Sequence, residues 1–493
     1  MCLSVSMVSL LSRAVFGVMQ QQKRSVQKHL LRFGLADAVF VRALSVVAIV
    51  PVEAGNPLKV NHVVYYHNIQ YCKPMQDETE IRKLSGRLVS AAAILLALGS
   101  LSCPARAADA GFTQFIASLW PEAQAAGVSR ATFDAETRGL EPDYKLPDLI
   151  LPGRPATGAP SQAEFVQVPA DYVREASIAG LAAEGERLMA KHRAALSQIE
   201  TRFGVPASVV LAIWGRETDY GRYRLPYDAL RVVATQAYVG RRKDQYRTEF
   251  ILALKILGEG AVRRKDMRAS WAGATGLTQF LPSEYYKHGV DLDGDGRVDI
   301  WNSVPDALAS AAQQLVNKAW EKGVRWAYEV RAPANVDCTM GVPEVTKPIG
   351  EWLRLGFVPV RGQKLGAAEQ AQPASLLQVE GIYGPAFLTT KNYFVIKEYN
   401  FSDLYVLFVG HLSDRMASPL PFATPWSAST QMRTKDVEAM QRHLTRIGLY
   451  KDKLDGKAGM QTRAALGAYQ KQAGLKVDCW PSETVLRSIS TAR

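Results

Sequence analysis

The sequence predicts a mainly α-helical protein with a smaller β-containing part and a separate helical module at its C-terminal end. Three observations carry this prediction. From Gly111 to about Arg331, stretches rich in Ala, Leu, Glu, Arg and Gln place apolar residues three and four apart, which is the spacing of one helix face. Residues 333–425 turn to Val-, Tyr- and Phe-rich segments such as Tyr393–Ile396 and Leu404–Val409, broken by Pro and Gly, and read as short strands and loops packed on the helical body. A Pro/Ser/Thr-rich stretch over 418–427 then sets off a final segment of small-domain size.

Composition bounds the function classes. With 493 residues, 47% hydrophobic and 22% charged, the chain can build two or three domains with cores, which excludes a disordered tail or a fibrous repeat. A mean hydropathy of −0.08 excludes a polytopic membrane protein. Five Cys without a C-x-x-C pair exclude a disulfide scaffold, a zinc ribbon and a thioredoxin-like motif. The formal charge of +12 points first to nucleic acid, an anionic membrane surface or an acidic polymer.

Taking the elements in order, residues 83–107 place Lys83 and Arg87 before an apolar run, Leu88–Leu101, and close on Ala105-Arg106-Ala107. A basic lead, an apolar stretch of this length and an A-x-A site form an export signal. The run is shorter than the roughly 20 apolar residues a spanning helix requires. Residues 75–107 are therefore expected to be a cleaved signal peptide starting at Met75, with 1–74 a spurious or disordered extension. Cys103 makes a poor lipoprotein site because Ser100 stands where Leu is wanted, so lipid anchoring ranks behind simple cleavage. Residues 1–107 together hold 12 of the 59 basic residues but only 5 of the 47 acidic ones, so the remainder carries 47 against 42, a net of +5. That weakens the nucleic-acid reading. The remainder keeps Cys338 and Cys479, and a disulfide or two buried thiols are equally open.

In the helical region, Ile178, Leu181, Leu188 and Met189 form one apolar face, and Phe250, Leu252, Leu254, Ile256 and Leu257 another. A Pro- and Gly-containing excursion interrupts it between Lys145 and Gln167. The segment from Pro206 to Gly221 is more informative. Pro206 suits the start of a helix, about two nearly all-apolar turns follow, and Glu217 closes them before a turn at Gly221. A carboxylic acid desolvated there is suited to general acid catalysis near neutral pH. The alternative is a Glu paired with Arg216 or Arg222 at the surface. In Ser270–Ser283, the small residues at 272–276 permit close approach of a backbone or an extended ligand. Gln279 adds a donor and an acceptor suited to sugar hydroxyl and acetamido groups beside Phe280; a helix-packing turn is the alternative.

The acidic run Asp291–Asn302 follows the start of an EF-hand loop, with Asp291, Asp293 and Asp295 at positions one, three and five, Gly296 at six and Arg297 offering a carbonyl at seven. Asn302 stands where a bidentate Glu is expected, and Asp306 lies within reach just beyond. A structural calcium ion and an Asp/Gly turn capping the next helix are both open, with Asp291, Asp293, Asp295, Arg297 and Asp306 as the candidate ligands.

Glu-Thr-x-Tyr-Gly at 217–221, followed some fifty residues later by Gly-Ala-x-Gly-x-x-Gln-Phe-x-Pro-Ser at 273–283, resembles the lytic murein transglycosylase B family, glycoside hydrolase family 103, over roughly residues 110–420. The resemblance implies a lysozyme-like helical catalytic core with a helical flanking domain and a small β-containing subdomain, over 108–425. It implies cleavage of the β-1,4 bond between N-acetylmuramic acid and N-acetylglucosamine with Glu217 as sole acid and base. Ser270, Gln279 and Phe280 match the cleft-lining segment, Tyr399, Asn400 and Tyr405 match elements near the catalytic Glu, and Arg241-Arg242 matches a basic pair that would bind stem-peptide carboxylates. An aromatic that some relatives carry near the position of Gln313-Gln314 is missing. No cofactor is required by the implied chemistry.

Residues 434–490 present Leu444, Gly448-Leu449-Tyr450, Asp455-Gly456-Lys457-Ala458-Gly459, Thr462–Leu466, Tyr469-Gln470 and Gly474–Asp478. This pattern resembles the three-helix peptidoglycan-binding module, assigned to 426–493, with Leu444, Leu449, Leu466 and Tyr469 as its core. Cys479 replaces the usual Gly. The expectation is a periplasmic enzyme of a Gram-negative bacterium, monomeric, acting on peptidoglycan strands and not nucleic acid, with peripheral outer-membrane association left open. A muramidase-type hydrolase and a non-catalytic wall-binding protein are the competing readings.

Overall fold

The structure is a computed structural model that describes residues 109–154, 167–427, 430 and 432–491, and all elements named belong to these residues. The expected extension, signal peptide and Cys103 site lie outside them. Three short helices between residues 110 and 137 lead into the helical body: α1 (Glu175–Lys191), α2 (Arg193–Phe203), α3 (Ala207–Thr218), α4 (Ala229–Val239), α5 (Lys243–Gly258) and α6 (Val304–Asn317). Most of the two apolar faces read from the sequence turns inward. Ile178 and Leu188 of α1 join α3 in one core with Leu181 and Met189 packed at its margin. Phe250, Leu254 and Ile256 of α5 join α4 in a second with Leu257 at its margin, whereas Leu252 is half-buried and lies outside both.

Helix α3 sits inside the first core. Val210, Leu211, Ala212 and Ile213 have no exposed surface, and Trp214 is only 4% exposed. Burying each large aliphatic side chain contributes about 1.5–3 kcal/mol, so the position of this helix is strongly fixed. Pro206 stands at its N-cap, ahead of the first helical turn.

The β part is a five-stranded antiparallel sheet of β1 (Ala327–Arg331), β2 (Thr346–Pro348), β3 (Val358–Pro359), β4 (Pro373–Leu377) and β5 (Ala386–Thr389), in the order β2-β4-β5-β1-β3. The register pairs Tyr328 with Leu388 and Leu376 with Leu388 across the central strands. Its apolar face covers Trp352 and Phe357.

Two segments expected as strands are helices: α7 (Lys391–Lys397) contains Tyr393–Ile396, and α8 (Asp403–Ala417) contains Leu404–Val409. The reason is burial. Every residue from Asp403 to Ser413 of α8 is buried, so its outward positions lack the polar residues that mark a helix by period, and a short wholly apolar run resembles a buried strand.

Beyond Trp426, α9 (Thr434–Arg446), α10 (Met460–Gln472) and α11 (Glu483–Thr491) form a bundle around Met440, Leu444, Leu466, Tyr469, Val485 and Ile489. Leu449 packs at its edge, partly buried. This module is docked firmly. Cys338 and Cys479 form a disulfide across 141 residues, and Met460 at the start of α10 enters the core that surrounds α3. Cys479 has φ 54°, the left-handed region that glycine normally fills. The turn keeps its shape, and the extra side chain supplies the cross-link.

Candidate active site

Helix α3 ends abruptly. Asp219, Tyr220 and Gly221 all have positive φ, at 52°, 56° and 79°, and two of the three are residues for which this region is strained. Tyr220 folds back onto the helix, where a Cβ on Gly215 would lie 2.7 Å from its ring, and its hydroxyl donates to the Leu181 carbonyl at 2.9 Å. The chain therefore turns away immediately after Glu217, leaving that carboxyl half-buried at the end of a core helix.

Arg222, one of the partners considered for Glu217, is held by Asp219 through bonds of 3.1 and 2.6 Å. Asp219, the nearest carboxylate in the sequence, is thereby committed at the surface. Arg216 instead bonds the Tyr172 hydroxyl at 2.6 Å and lies over the rings of Tyr172 and Phe408. It remains a fixed positive charge that interacts with Glu217 and Tyr405. The Tyr405 hydroxyl donates to Glu217 Oε1 at 2.5 Å. Burial first, and then the neighbouring Glu217 charge, push the Tyr405 phenol well above its ordinary range, so it stays a donor at any working pH. Tyr399 stacks on Tyr405, with centroids 6.2 Å apart and planes 12° apart.

The 270–280 loop is brought to this point by hydrogen bonds. Thr218 Oγ1 donates to the Leu277 carbonyl at 2.7 Å, and the Tyr399 hydroxyl to the Thr278 carbonyl at 3.1 Å. Thr275 and Phe280 close the loop on each other at 2.8 and 2.9 Å. Gly276, at φ 78°, lies so near Ile300 that a Cβ would come within 2.9 Å of its side chain. Gln279 is half-buried at φ 58°, with its amide donating to the Gly276 carbonyl at 3.0 Å. Ser270 Oγ accepts from the Ala272 and Ala274 backbone N–H groups at 3.3 Å.

Phe280 departs from its expected role. It is 1% exposed, packs in the second core and lies 6.5 Å from the Tyr399 ring centroid. It offers no face to a sugar and supports Tyr399 from beneath. The alternation of the tight loop is responsible, turning Gln279 outward and Phe280 inward. Asn400 is half-buried, and its Oδ1 has no hydrogen-bond partner among the described residues.

Arg241 pairs with Asp148 at 2.9 Å, and Arg242 reaches the Tyr246 hydroxyl at 3.1 Å. Tyr246 in turn donates to the Ala272 carbonyl at 3.2 Å, so the basic pair joins the 270–280 loop through one side chain. Gln313 bonds Asn317 along α6, and Gln314 is buried.

In the acidic loop, Asp291, Asp293 and Asp306 bring carboxylate oxygens within 4.8 Å of one another. Asp295 is not among these grouped carboxylates. The Asp295 carboxylate accepts the Arg297 backbone N–H at 2.9 Å and pairs with its guanidinium at 3.1 Å, because a side chain two residues before a turn N–H closes a local ring more readily than it reaches the loop centre. Asp306 is buried, accepting from Leu292 and Asp299 N–H groups at 2.9 Å, and burial pushes its carboxyl up despite those bonds. Three carboxylates gathered in this way are an all-oxygen donor set suited to a hard cation.

Sequence reasoning did not single out Thr218, Thr278 or Tyr172, and weighed Arg216 only as a surface ion-pair partner of Glu217. Thr218 and Arg216 flank Glu217, and that adjacency was the only available signal; Tyr172 and Thr278 meet the site through folding alone.

The family model described as Transglycosylase SLT domain matches residues 111–414, and a peptidoglycan binding domain model matches 433–487. Membrane-bound lytic murein transglycosylase B of Escherichia coli (strain K12) is 30% identical over 228 residues, covering 45% of this chain and 60% of that protein. The match thus spans less than two thirds of that relative. SltB3 from Pseudomonas aeruginosa, solved in complex with NAG-anhNAM-pentapeptide and with NAG-NAM-pentapeptide, is 35% identical with a TM-score of 0.70, covering 77% of this chain and 99% of that one. On this sequence, fold and site, the chain belongs to the transglycosylase SLT domain family, among the lytic murein transglycosylases B, and carries a C-terminal peptidoglycan-binding domain.

Proposed function

We propose that this protein is a lytic transglycosylase that cleaves the β-1,4 bond between N-acetylmuramic acid and N-acetylglucosamine in peptidoglycan, in the periplasm of a Gram-negative bacterium. The observation that carries it is Glu217 at the end of a core helix, held through Oε1 by Tyr405, while Asp219 is spent on Arg222. A hydrolase of the common kind needs a second carboxylate as nucleophile or water-activating base; this arrangement favours a reaction that works with one.

Glu217 protonates the glycosidic oxygen, the substrate's own 2-acetamido group supports the cation at C1, and the Glu217 carboxylate then takes the proton of the C6 hydroxyl as that oxygen attacks C1. The bond to the leaving sugar breaks, an intramolecular C6–O–C1 bond forms, and no water is consumed. An attached hydroxyl competes with solvent through its high effective molarity. Tyr405 fixes the carboxyl rotamer, and Arg216 keeps a positive charge beside it. Ser270, Gln279, Tyr399 and Asn400, whose Oδ1 has no partner among the described residues, are the polar groups proposed to meet the glycan, with Arg241 and Arg242 toward stem-peptide carboxylates. Asp291, Asp293 and Asp306 would hold calcium as a structural ion that braces the loop before α6 and takes no part in the chemistry.

The relative crystallised with an anhydro sugar supports the same product here. Purified sacculi digested with the wild type should release 1,6-anhydromuramyl ends by mass spectrometry. Glu217→Gln should release none while still co-sedimenting with sacculi. Reducing ends in place of anhydro ends would make the enzyme a hydrolase, and unchanged release by the variant would remove Glu217 from its role.

A further inference from the structure

The C-terminal module meets the catalytic body at a buried ion cluster centred on Asp403. Asp403 is the first residue of α8, two positions before Tyr405. Its Oδ1 accepts from the Tyr393 hydroxyl and from Lys397 Nζ, both at 2.6 Å. Its Oδ2 accepts from Arg463 Nη2 at 2.8 Å, and both of these side chains are 7% exposed. Arg463 belongs to α10 of the module, where Nη1 also holds the Ala458 carbonyl at 2.5 Å. Burial alone would raise the Asp403 carboxyl, but Lys397 and Arg463 hold it well below the usual carboxylate range.

One carboxylate therefore ties the end of α7 to the start of α8, and the turn between them carries Tyr399 and Asn400. That turn is under strain, since Phe401 has φ 56° and its side chain is 69% exposed. A strained turn keeps its shape only when its surroundings over-determine it. Within the cluster, Arg463 alone comes from the other module.

We propose that Arg463 is a positioning residue for the reaction: through Asp403 it sets the start of α8, and hence the Tyr405 hydroxyl on Glu217, so that the wall-binding module completes the catalytic site in addition to gripping the wall. This rests on the assignment of Glu217 made above. It also gives the docked interface a purpose that tethering does not require, because a tether needs neither a buried ion pair nor Met460 in the catalytic core.

The test uses the full chain and a soluble GlcNAc–MurNAc tetrasaccharide with stem peptides, too short to profit from a remote grip. Arg463→Met should lower kcat about tenfold with KM unchanged, as loss of positioning without loss of binding requires, and Arg463→Lys should recover most of it. Wild-type kcat in R463M, with weaker binding to sacculi as the only defect, would overturn the proposal and leave a tether. If R463M does not fold by circular dichroism, the double variant Arg463→Met/Asp403→Asn, which removes both buried charges, decides by the same measurement. Loss of the tetrasaccharide counts cleavage whatever end is formed. Reducing ends from the wild type would therefore overturn the transglycosylase reading and leave the Arg463 comparison standing, while an inert wild type would overturn both.

Discussion

At the scale of single residues, the catalytic proposal comes down to one hydrogen bond between residues 188 apart in sequence, Tyr405 to Glu217. Tyr405→Phe keeps the ring stacked on Tyr399 and deletes only that donor. A hydrogen bond to a charged group contributes about 1.5–3 kcal/mol, which is about 10- to 100-fold in rate if the bond persists in the transition state. Steady-state kinetics should show this in kcat, with thermal unfolding nearly unchanged; an unaltered kcat would mean that the carboxyl is oriented by other groups. Glu217 was legible because a carboxyl ending an all-apolar helix is costly unless it serves a purpose. Tyr405 was legible only by resemblance. Phe280 was misjudged because a motif names the residues of a loop without saying which point outward. Arg463 and Asp403, 60 residues apart and in different modules, leave no local signal at all.

At the scale of elements, periodicity located α1 and α5 and failed for α7 and α8: burial on all sides of α8 erases the contrast between its faces, and α7 is only seven residues long, too short to show a helical period. The acidic loop shows the same limit. Its spacing was legible, but the structure gathers Asp306 and leaves Asp295 with Arg297, since the twelfth position, Asn302, gives its amide to Asp299 at 3.0 Å. If Asp291, Asp293 and Asp306 bind calcium, a free-ion excess of 100-fold over Kd should stabilise the fold by about 2.7 kcal/mol. Differential scanning calorimetry should then give a higher Tm with calcium than with chelator, and Asp293→Asn should abolish the difference. Equal melting temperatures for the wild type would make the loop a turn held by its own hydrogen bonds.

At the scale of the whole molecule, the two modules were visible in the sequence, whereas their attachment was not. The Pro/Ser/Thr stretch marked where the second module is set off but not how it is held: it is joined by the Cys338–Cys479 bridge, the Arg463–Asp403 pair and a contact of Lys471 with Asp337 at 2.7 Å. A cross-link over 141 residues restricts the unfolded chain substantially, and removing it should cost about 2–5 kcal/mol. Non-reducing peptide mapping should recover the two cysteines in one linked fragment. Replacing both with Ala should lower the denaturant midpoint by a corresponding amount, and a midpoint equal to the wild type would show that the bridge adds nothing to a junction already secured by packing.

Under the proposed function, the welded junction would also set how the enzyme measures its polymer. A domain on a slack leash samples many offsets, and its benefit is an average over linker lengths. Here the position of the module relative to Glu217 is built into the protein, as in a caliper whose jaws have been set. A strand gripped by the module would then meet the cleft at an offset set by Met460, Cys479 and Arg463 and not by the length of a tether.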